Sequence, residues 1–510
     1  MSRLEKSVKN FLFGTLGHFL GYLLNFATRK IFILFLTIEY LGLNGFFSNI
    51  LSLLSFAELG IGTAICYSLY RPLAFNEIEK VQALMQLYRK AYTIIGTFII
   101  IVGVGLTPLL PLILGDIPDI PHINLIYSLF VLNSGVSYFL SYKRTLLVAD
   151  QKKYLDSAYY YGFQMMKYVA QSLVLVYTKD YILFLSVMLA MTLAENISVS
   201  RKVSSLYPYL KQKSTYKLKH EETVQIKKNV FALMFHKLGN VIVNGTDNIL
   251  MVSFVNLASA GIYANYLMVT SALNHTIGVV YTSISASVGN LVAESKGEKQ
   301  LAVFQQLDFL TAWIVGFSSI CLFVLFNPFI TLWLGQEFLF PLPIVFLIVL
   351  NFYLFGMLRS IRTFYASMGL FWYDRYKPIF ESIINLGASI LLAQKMGLAG
   401  ILIGTTISTL TTCFWFEPYV LFTYGMELPI RKYFLTYAKY AVVTLFSGIA
   451  TYLLVGLIPI GNQFISFLIA MIICVVIPNL IFWILYSRMQ EFSAVAQMVK
   501  KVLGKRRPKV

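Results

Sequence analysis

The sequence predicts an all-α polytopic membrane protein of about fourteen transmembrane helices, two pseudo-symmetric six-helix lobes followed by two further helices. Three observations predict it. Of the 510 residues, 58% are hydrophobic and only 13% charged, against about 25% charged in ordinary soluble domains, and mean hydropathy is +0.71. Apolar runs of about 18 residues or more, each long enough to cross a bilayer, recur from end to end. Short motifs in the first 215 residues also return later in the same order and at nearly constant spacing.

Taken in order, the spans are expected at 11–36, 43–68, 91–114, 123–142, 155–177, 181–200, 230–254, 260–284, 309–333, 342–362, 378–395, 398–421, 435–458 and 463–487. The first begins near Phe11 and passes Thr37 without a small-residue cleavage site, so it reads as a retained helix and not a leader. Cys66, Cys321, Cys413 and Cys474 each stand singly in apolar segments, which suits small buried hydrophobes better than a disulfide framework or zinc site.

An even number of spans puts both termini on one side. All but six of the 41 Lys and Arg then fall in the segments on that side, while the opposite side keeps only Lys179 and Lys395 beside Asp116, Asp119, Asp180 and Glu337. The positive-inside rule makes the basic side cytoplasmic, with both termini there. The net charge of +18 is therefore topology signal and contact with anionic membrane lipids. Nucleic acid is not expected as a partner, since no basic stretch lies on a recognition module. Arg29, Lys30, Lys167 and Lys237 lie within spans and are the cations that topology leaves unexplained.

The repeat is carried by several matches. His18-Phe-Leu-Gly21 returns as His236-Lys-Leu-Gly239, and Thr28-Arg-Lys-Ile31 as Thr246-Asp-Asn-Ile249. The Pro-containing run from Thr107 to Gly115 returns as Asn327 to Gly335, and Arg144-Thr145 as Arg362-Thr363. Two six-span lobes in the same orientation follow, related by an axis along the membrane normal. Residues 1–215 form the first lobe and 216–425 the second. Residues 426–490 add two helices, and 491–510 make a basic cytoplasmic tail.

The first span carries a polar stripe. His18, Tyr22, Asn25 and Arg29 are spaced four, three and four apart and share one helical face. A permanent cation on such a face should not meet lipid, and by default it marks a substrate or ion pathway. Its repeat partner, the seventh span, places His236, Lys237, Asn240, Asn244, Asp247 and Asn248 within an arc of about 120°. Lys30 lies off the stripe near the outer end and reads as a residue that snorkels to headgroups. For His18, His236, His275 and Lys167, a packing role stands equally beside a functional one.

Other intramembrane polar residues allow a second site. Glu58 either pairs with a cavity cation or caps close packing at Gly60 and Gly62. Glu381 and Asn385, one turn apart, with Asp247 and the hydroxyls of Thr405 and Thr406, make an oxygen-rich set suited to Na⁺ or to a carried proton. The bland alternative is polar residues satisfied separately by neighbouring helices. Glu195 and Glu417, near cytoplasmic helix ends, read as solvated. No phosphate-cradling loop, nucleophile elbow or zinc-protease motif is present, so the chain is not expected to be an enzyme. No cofactor is expected, and coupling would draw on Na⁺, H⁺ or membrane potential.

From Arg29 to Gly62, R-K-I-F-I-L-F-L-T-I-E-Y-L-G-L-N-G-F-F-S-N-I-L-S-L-L-S-F-A-E-L-G-I-G, the chain resembles the Wzx-type polysaccharide flippases. These belong to the superfamily of multidrug, oligosaccharidyl-lipid and polysaccharide (MOP) exporters. The resemblance implies a V-shaped MATE-like helical fold that alternates between inward- and outward-open states in the bacterial cytoplasmic membrane. It implies flipping of undecaprenyl-diphosphate-linked oligosaccharide units for capsule, O-antigen or a related surface polysaccharide, with a polymerase and glycosyltransferases as neighbouring partners. In that light the substrate site would comprise His18, Tyr22, Asn25, Arg29, Lys237, Asn240, Asn244 and Glu58. Arg29 and Lys237 would hold the diphosphate, because guanidinium matches phosphate oxygens through a planar fork. The resemblance also implies a cation site in the second lobe, similar in placement to Asp247, Glu381 and Asn385; the ion-coupling set read from the residues themselves is Asp247, Glu381, Asn385 and Thr405, with no structural metal. The alternative is a cation-coupled MATE-like exporter of small organic cations, whose cavity should be net acidic.

Overall fold

The computed structural model describes residues 3–58, 60–111, 120–150, 152–212, 216, 218, 220–294, 297–457 and 461–504, and its described regular elements are helical throughout. Among the described residues, eight helical segments are long and apolar enough to cross a membrane. The chain is a multi-pass membrane protein. It divides into two compact units, residues 1–261 and 262–510.

The first unit opens with α1 (Arg3–Phe35), one continuous helix of 33 residues and so about 50 Å long. It ends at Leu36 and Thr37, where the backbone turns extended before α2 (Ile38–Leu54). The expected second span does not run through as one helix. It breaks at a short 3-10 turn, Ser55–Glu58, and restarts as α3 (Ile61–Ala74) after Gly60, whose φ of +93° only glycine adopts freely. Next come α4 (Ile78–Gly105), α5 (Ile123–Ser141), the short α6 (Arg144–Ala149), α7 (Lys153–Thr178) and α8 (Tyr181–Leu206). Helix α9 (His220–Phe254) completes the unit by packing on α2 and α3, while α1 lies along α7 and α4 along α5.

Helix α10 (Leu257–Glu294) starts at the end of the first unit and continues into the second. There follow α11 (Glu298–Trp333), α12 (Leu342–Met357), α13 (Arg359–Met368), α14 (Lys377–Met396), α15 (Leu398–Thr411) and α16 (Cys413–Val420). Helices α14 and α15 touch closely because Gly404 lacks a side chain. A Cβ there would stand 2.3 Å from Ser389 Oγ. The last two spans, α17 (Arg431–Gly456) and α18 (Gln463–Tyr486), pack against α11, and α19 (Gln490–Gly504) ends the described chain. Trp313 of α11 donates from Nε1 to Asn479 Oδ1 of α18 at 2.8 Å, tying these two helices together. Their outer faces, with Val442, Phe446, Ile449, Leu453, Ile472, Val476 and Trp483, are exposed and apolar, as lipid contact requires.

Candidate functional site

In the first unit the polar stripe of α1 lies against a tyrosine-rich face of α7. The His18 and Tyr22 rings are 4.5 Å apart, and Tyr161 stands 6.2 Å from His18. Lower on the same pair of helices, the Thr28 hydroxyl donates to the Tyr168 carbonyl at 3.3 Å and lies 3.1 Å from Ser172 Oγ. Arg29 sits beside Tyr168 and Tyr181. Its Nη1 is buried and has no hydrogen-bond partner. Leaving such a donor unmet costs on the order of 1–3 kcal/mol, more for a charged group. Tyr22 and Asn25 are half-buried on the same face, and Lys30 is exposed. Lys167 places its ammonium 5.1 Å from the Tyr168 ring.

Glu58 occupies the break between α2 and α3. It accepts a 2.6 Å hydrogen bond from Tyr92 Oη of α4, and Tyr92 in turn packs edge-on against Tyr88. A Cβ added at Gly62 would lie 2.9 Å from the Tyr88 hydroxyl and 3.5 Å from Glu58 Oε1, so the carboxylate covers a close packing point. Asp247 is half-buried on α9 and engaged by a partner. The side chains of His236, Lys237, Asn240 and Asn244 lie outside the described residues, although their backbone belongs to α9.

In the second unit Asn385 of α14 is fully buried. Its Nδ2 donates to Thr405 Oγ1 at 3.2 Å and Ser408 Oγ at 3.5 Å, and its Oδ1 is buried without a donor. Thr406, one residue on, donates instead to Asn351 Oδ1 at 2.8 Å. Glu381, one turn before Asn385, is held at 3.6 Å by Lys377. The structure thus brings Asn385 and Thr405 together and gives Glu381 an ammonium neighbour. Asp247 belongs to the other compact unit.

The expectation that Glu195 and Glu417 are solvated is overturned. Glu417 is 4% exposed and binds Arg362 through both oxygens and Lys377 at 2.5 Å. Glu195 accepts from Arg144, which also bridges to Asp156 at 3.2 Å. The repeated Arg-Thr pair was the signal for these networks. Asp308 of α11 was missed altogether. It is 3% exposed and accepts from the Ser360 hydroxyl at 2.7 Å, and its place at the edge of an apolar run gave no hint of such burial.

No family profile and no curated protein matches the sequence. Solved structures do match in fold. A structure of the lipid II flippase MurJ in an inward closed conformation aligns over 94% of this chain and 99% of its own, with a TM-score of 0.68 at 16% identity. This chain has the fold that MurJ shares with the MATE transporters. An inward-facing multidrug resistance MATE family transporter of the MOP superfamily aligns over 78% of this chain and 94% of its own, with a TM-score of 0.61 at 13% identity. A mutant of the Vibrio cholerae MATE transporter VcmN covers 84% and 99%, with a TM-score of 0.56 at 13% identity. The MATE-like helical architecture expected from the sequence is therefore the one observed.

Proposed function

We propose that this protein is a flippase that carries undecaprenyl-diphosphate-linked oligosaccharide units across the bacterial cytoplasmic membrane by alternating access, for surface polysaccharide assembly. The observation that carries the reading is Arg29, a membrane-embedded guanidinium with a buried Nη1 that meets no acceptor. A diphosphate would supply that acceptor together with the missing countercharge. The neighbouring His18, Tyr22, Asn25 and Tyr161 offer rings and polar groups suited to sugars, and Lys237 is the second proposed diphosphate ligand. The fold shared with a lipid II flippase supports a lipid-linked cargo. Both termini are assigned to the cytoplasm on the basic-residue asymmetry. The lobes are assigned to 1–215 and 216–425 on the internal repeat.

Arg29→Ala is expected to abolish surface polysaccharide in cells that depend on this gene while the protein remains folded and in the membrane. Normal polysaccharide in that strain would remove Arg29 from the mechanism. The second reading, a cation-coupled exporter, is favoured by the unfilled Asn385 Oδ1 beside Thr405 and by the MATE likeness. Resistance to cationic drugs that depends on the gene, with unchanged envelope glycans, would favour it over the first.

A further inference from the structure

A second basic site lies in the first unit, and Arg29 is not among the residues that line it. The start of α4, the turn between α5 and α6, and the 3-10 turn after α8 (Pro208–Lys211) enclose a cavity of about 700 Å³. Arg89, Lys90, Lys143 and Lys211 line it, and no Asp or Glu does. Other cations of this unit are paired: Lys80 with Glu222, Lys152 with Asp150, and Arg144 with Asp156 and Glu195. Among the described residues, none of the four lining cations has an ion-pair partner.

The cavity is built, not incidental. Lys143 is half-buried and its ammonium is fixed by Ser200 Oγ and Ser204 Oγ, each at 2.8 Å. Gln82 is buried and braces the wall by donating to the Tyr209 carbonyl at 2.6 Å. Burial, and then the nearby Arg89 charge, holds the Lys143 ammonium below the usual lysine range. An anion between the two would relieve that repulsion.

The position also says what delivers the anion. Lys90, Ile94 and Ile101 recur at helical spacing with Phe98, so one face of α4 runs from the cavity down an apolar stripe. Ile94, Phe98 and Ile101 are 69%, 46% and 66% exposed. A basic mouth above a lipid-facing stripe matches a phosphate headgroup above acyl chains. We propose that this cavity binds a phosphate-bearing anion, presented as the headgroup of an anionic phospholipid whose chains lie along Ile94, Phe98 and Ile101.

The test uses the full chain, reconstituted with equimolar phosphatidylcholine and phosphatidylglycerol, extracted, and weighed by native mass spectrometry. Phosphatidylglycerol should be retained in preference to phosphatidylcholine. Arg89→Gln with Lys143→Gln should weaken retention by about 25-fold, at about fivefold per cation. Arg89→Gln alone, on an exposed side chain, guards against misfolding through loss of the Lys143 bonds and should cost about fivefold. Lys202→Gln, exposed and outside the cavity, should leave retention unchanged. An equal loss with Lys202→Gln would mean diffuse attraction and overturn the site. Displacement by inorganic phosphate with no preference between the lipids would overturn the lipid assignment. Retention unaltered by Arg89→Gln would overturn both.

Discussion

Arg362 donates to both carboxylate oxygens of Glu417, from Nε at 2.9 Å and Nη2 at 3.1 Å. Lys377 shares the same acid and also faces Glu381 at 3.6 Å, so two carboxylates balance two cations at the junction of α13, α14 and α16. The first unit repeats the arrangement with Arg144 of α6 and Glu195 of α8, where Asp156 adds a second acid. The two arginines are the Arg-Thr pair of the internal repeat.

Removing the shared acid should be severe. Among the described residues, Glu417→Gln leaves Arg362 with no ion-pair acid and Lys377 with Glu381 alone, and breaking a fully buried pair in this way costs roughly 3–5 kcal/mol. The lower end applies, because the Arg362 side chain is 32% exposed. The purified protein should melt several degrees lower than wild type. Glu195→Gln should cost less, since Asp156 still faces Arg144. Unchanged melting of Glu417→Gln would show that the network is not structural.

Arg29 admits a graded test. Arg29→Lys keeps the charge and loses the planar fork, so polysaccharide output should fall between wild type and Arg29→Ala. Output from Arg29→Lys equal to wild type would mean that charge alone suffices. Output equal to Arg29→Ala would assign the whole effect to bidentate geometry.

The α14–α15 contact predicts a steric failure. Gly404→Leu forces a side chain into Ser389, with the first carbon at 2.3 Å from Oγ. Overpacking of this kind typically costs about 1–3 kcal/mol. Gly387, which meets nothing within 4 Å, should tolerate alanine. Comparing the melting of Gly404→Leu with that of Gly387→Ala isolates the contact from a general effect of losing glycine.

Coupling is tested at Asp247 and Asn385. If Asn385 and Thr405 hold a coupling ion, Asn385→Leu should remove the response of transport in vesicles to an imposed Na⁺ or proton gradient; Asp247→Asn tests the acid of the other unit separately. Transport that responds normally in both variants would eliminate the set.

Much of the architecture was legible because apolar runs of this length have few alternatives to crossing a membrane. The stripe on α1 was legible for the same reason: at helical spacing, His18, Tyr22, Asn25 and Arg29 must share a face. What escaped depends on partners distant in sequence. Glu417 looked solvated because only the fold brings Arg362 and Lys377 to it. Asp308 escaped likewise, its acceptor bond being made to Ser360, 52 residues away. The break in the second span was hidden because F-A-E-L-G-I-G is apolar enough to continue a helix, whereas the chain there forms a 3-10 turn at Ser55–Glu58 and a left-handed Gly60.

That break has a consequence for how the chain enters the bilayer. Glu58 leaves the ribosome before Tyr92, its hydrogen-bond partner 34 residues later. A lone carboxylate is costly in hydrocarbon, about 2.5–3.5 kcal/mol on the insertion scale for an acid at a helix centre. The segment from α2 to α3 should therefore stay beside the insertion machinery until α4 emerges, and release with it as one body. Nascent chains arrested before Tyr92 should still crosslink to the translocon through α3, and chains arrested after α4 has emerged should not.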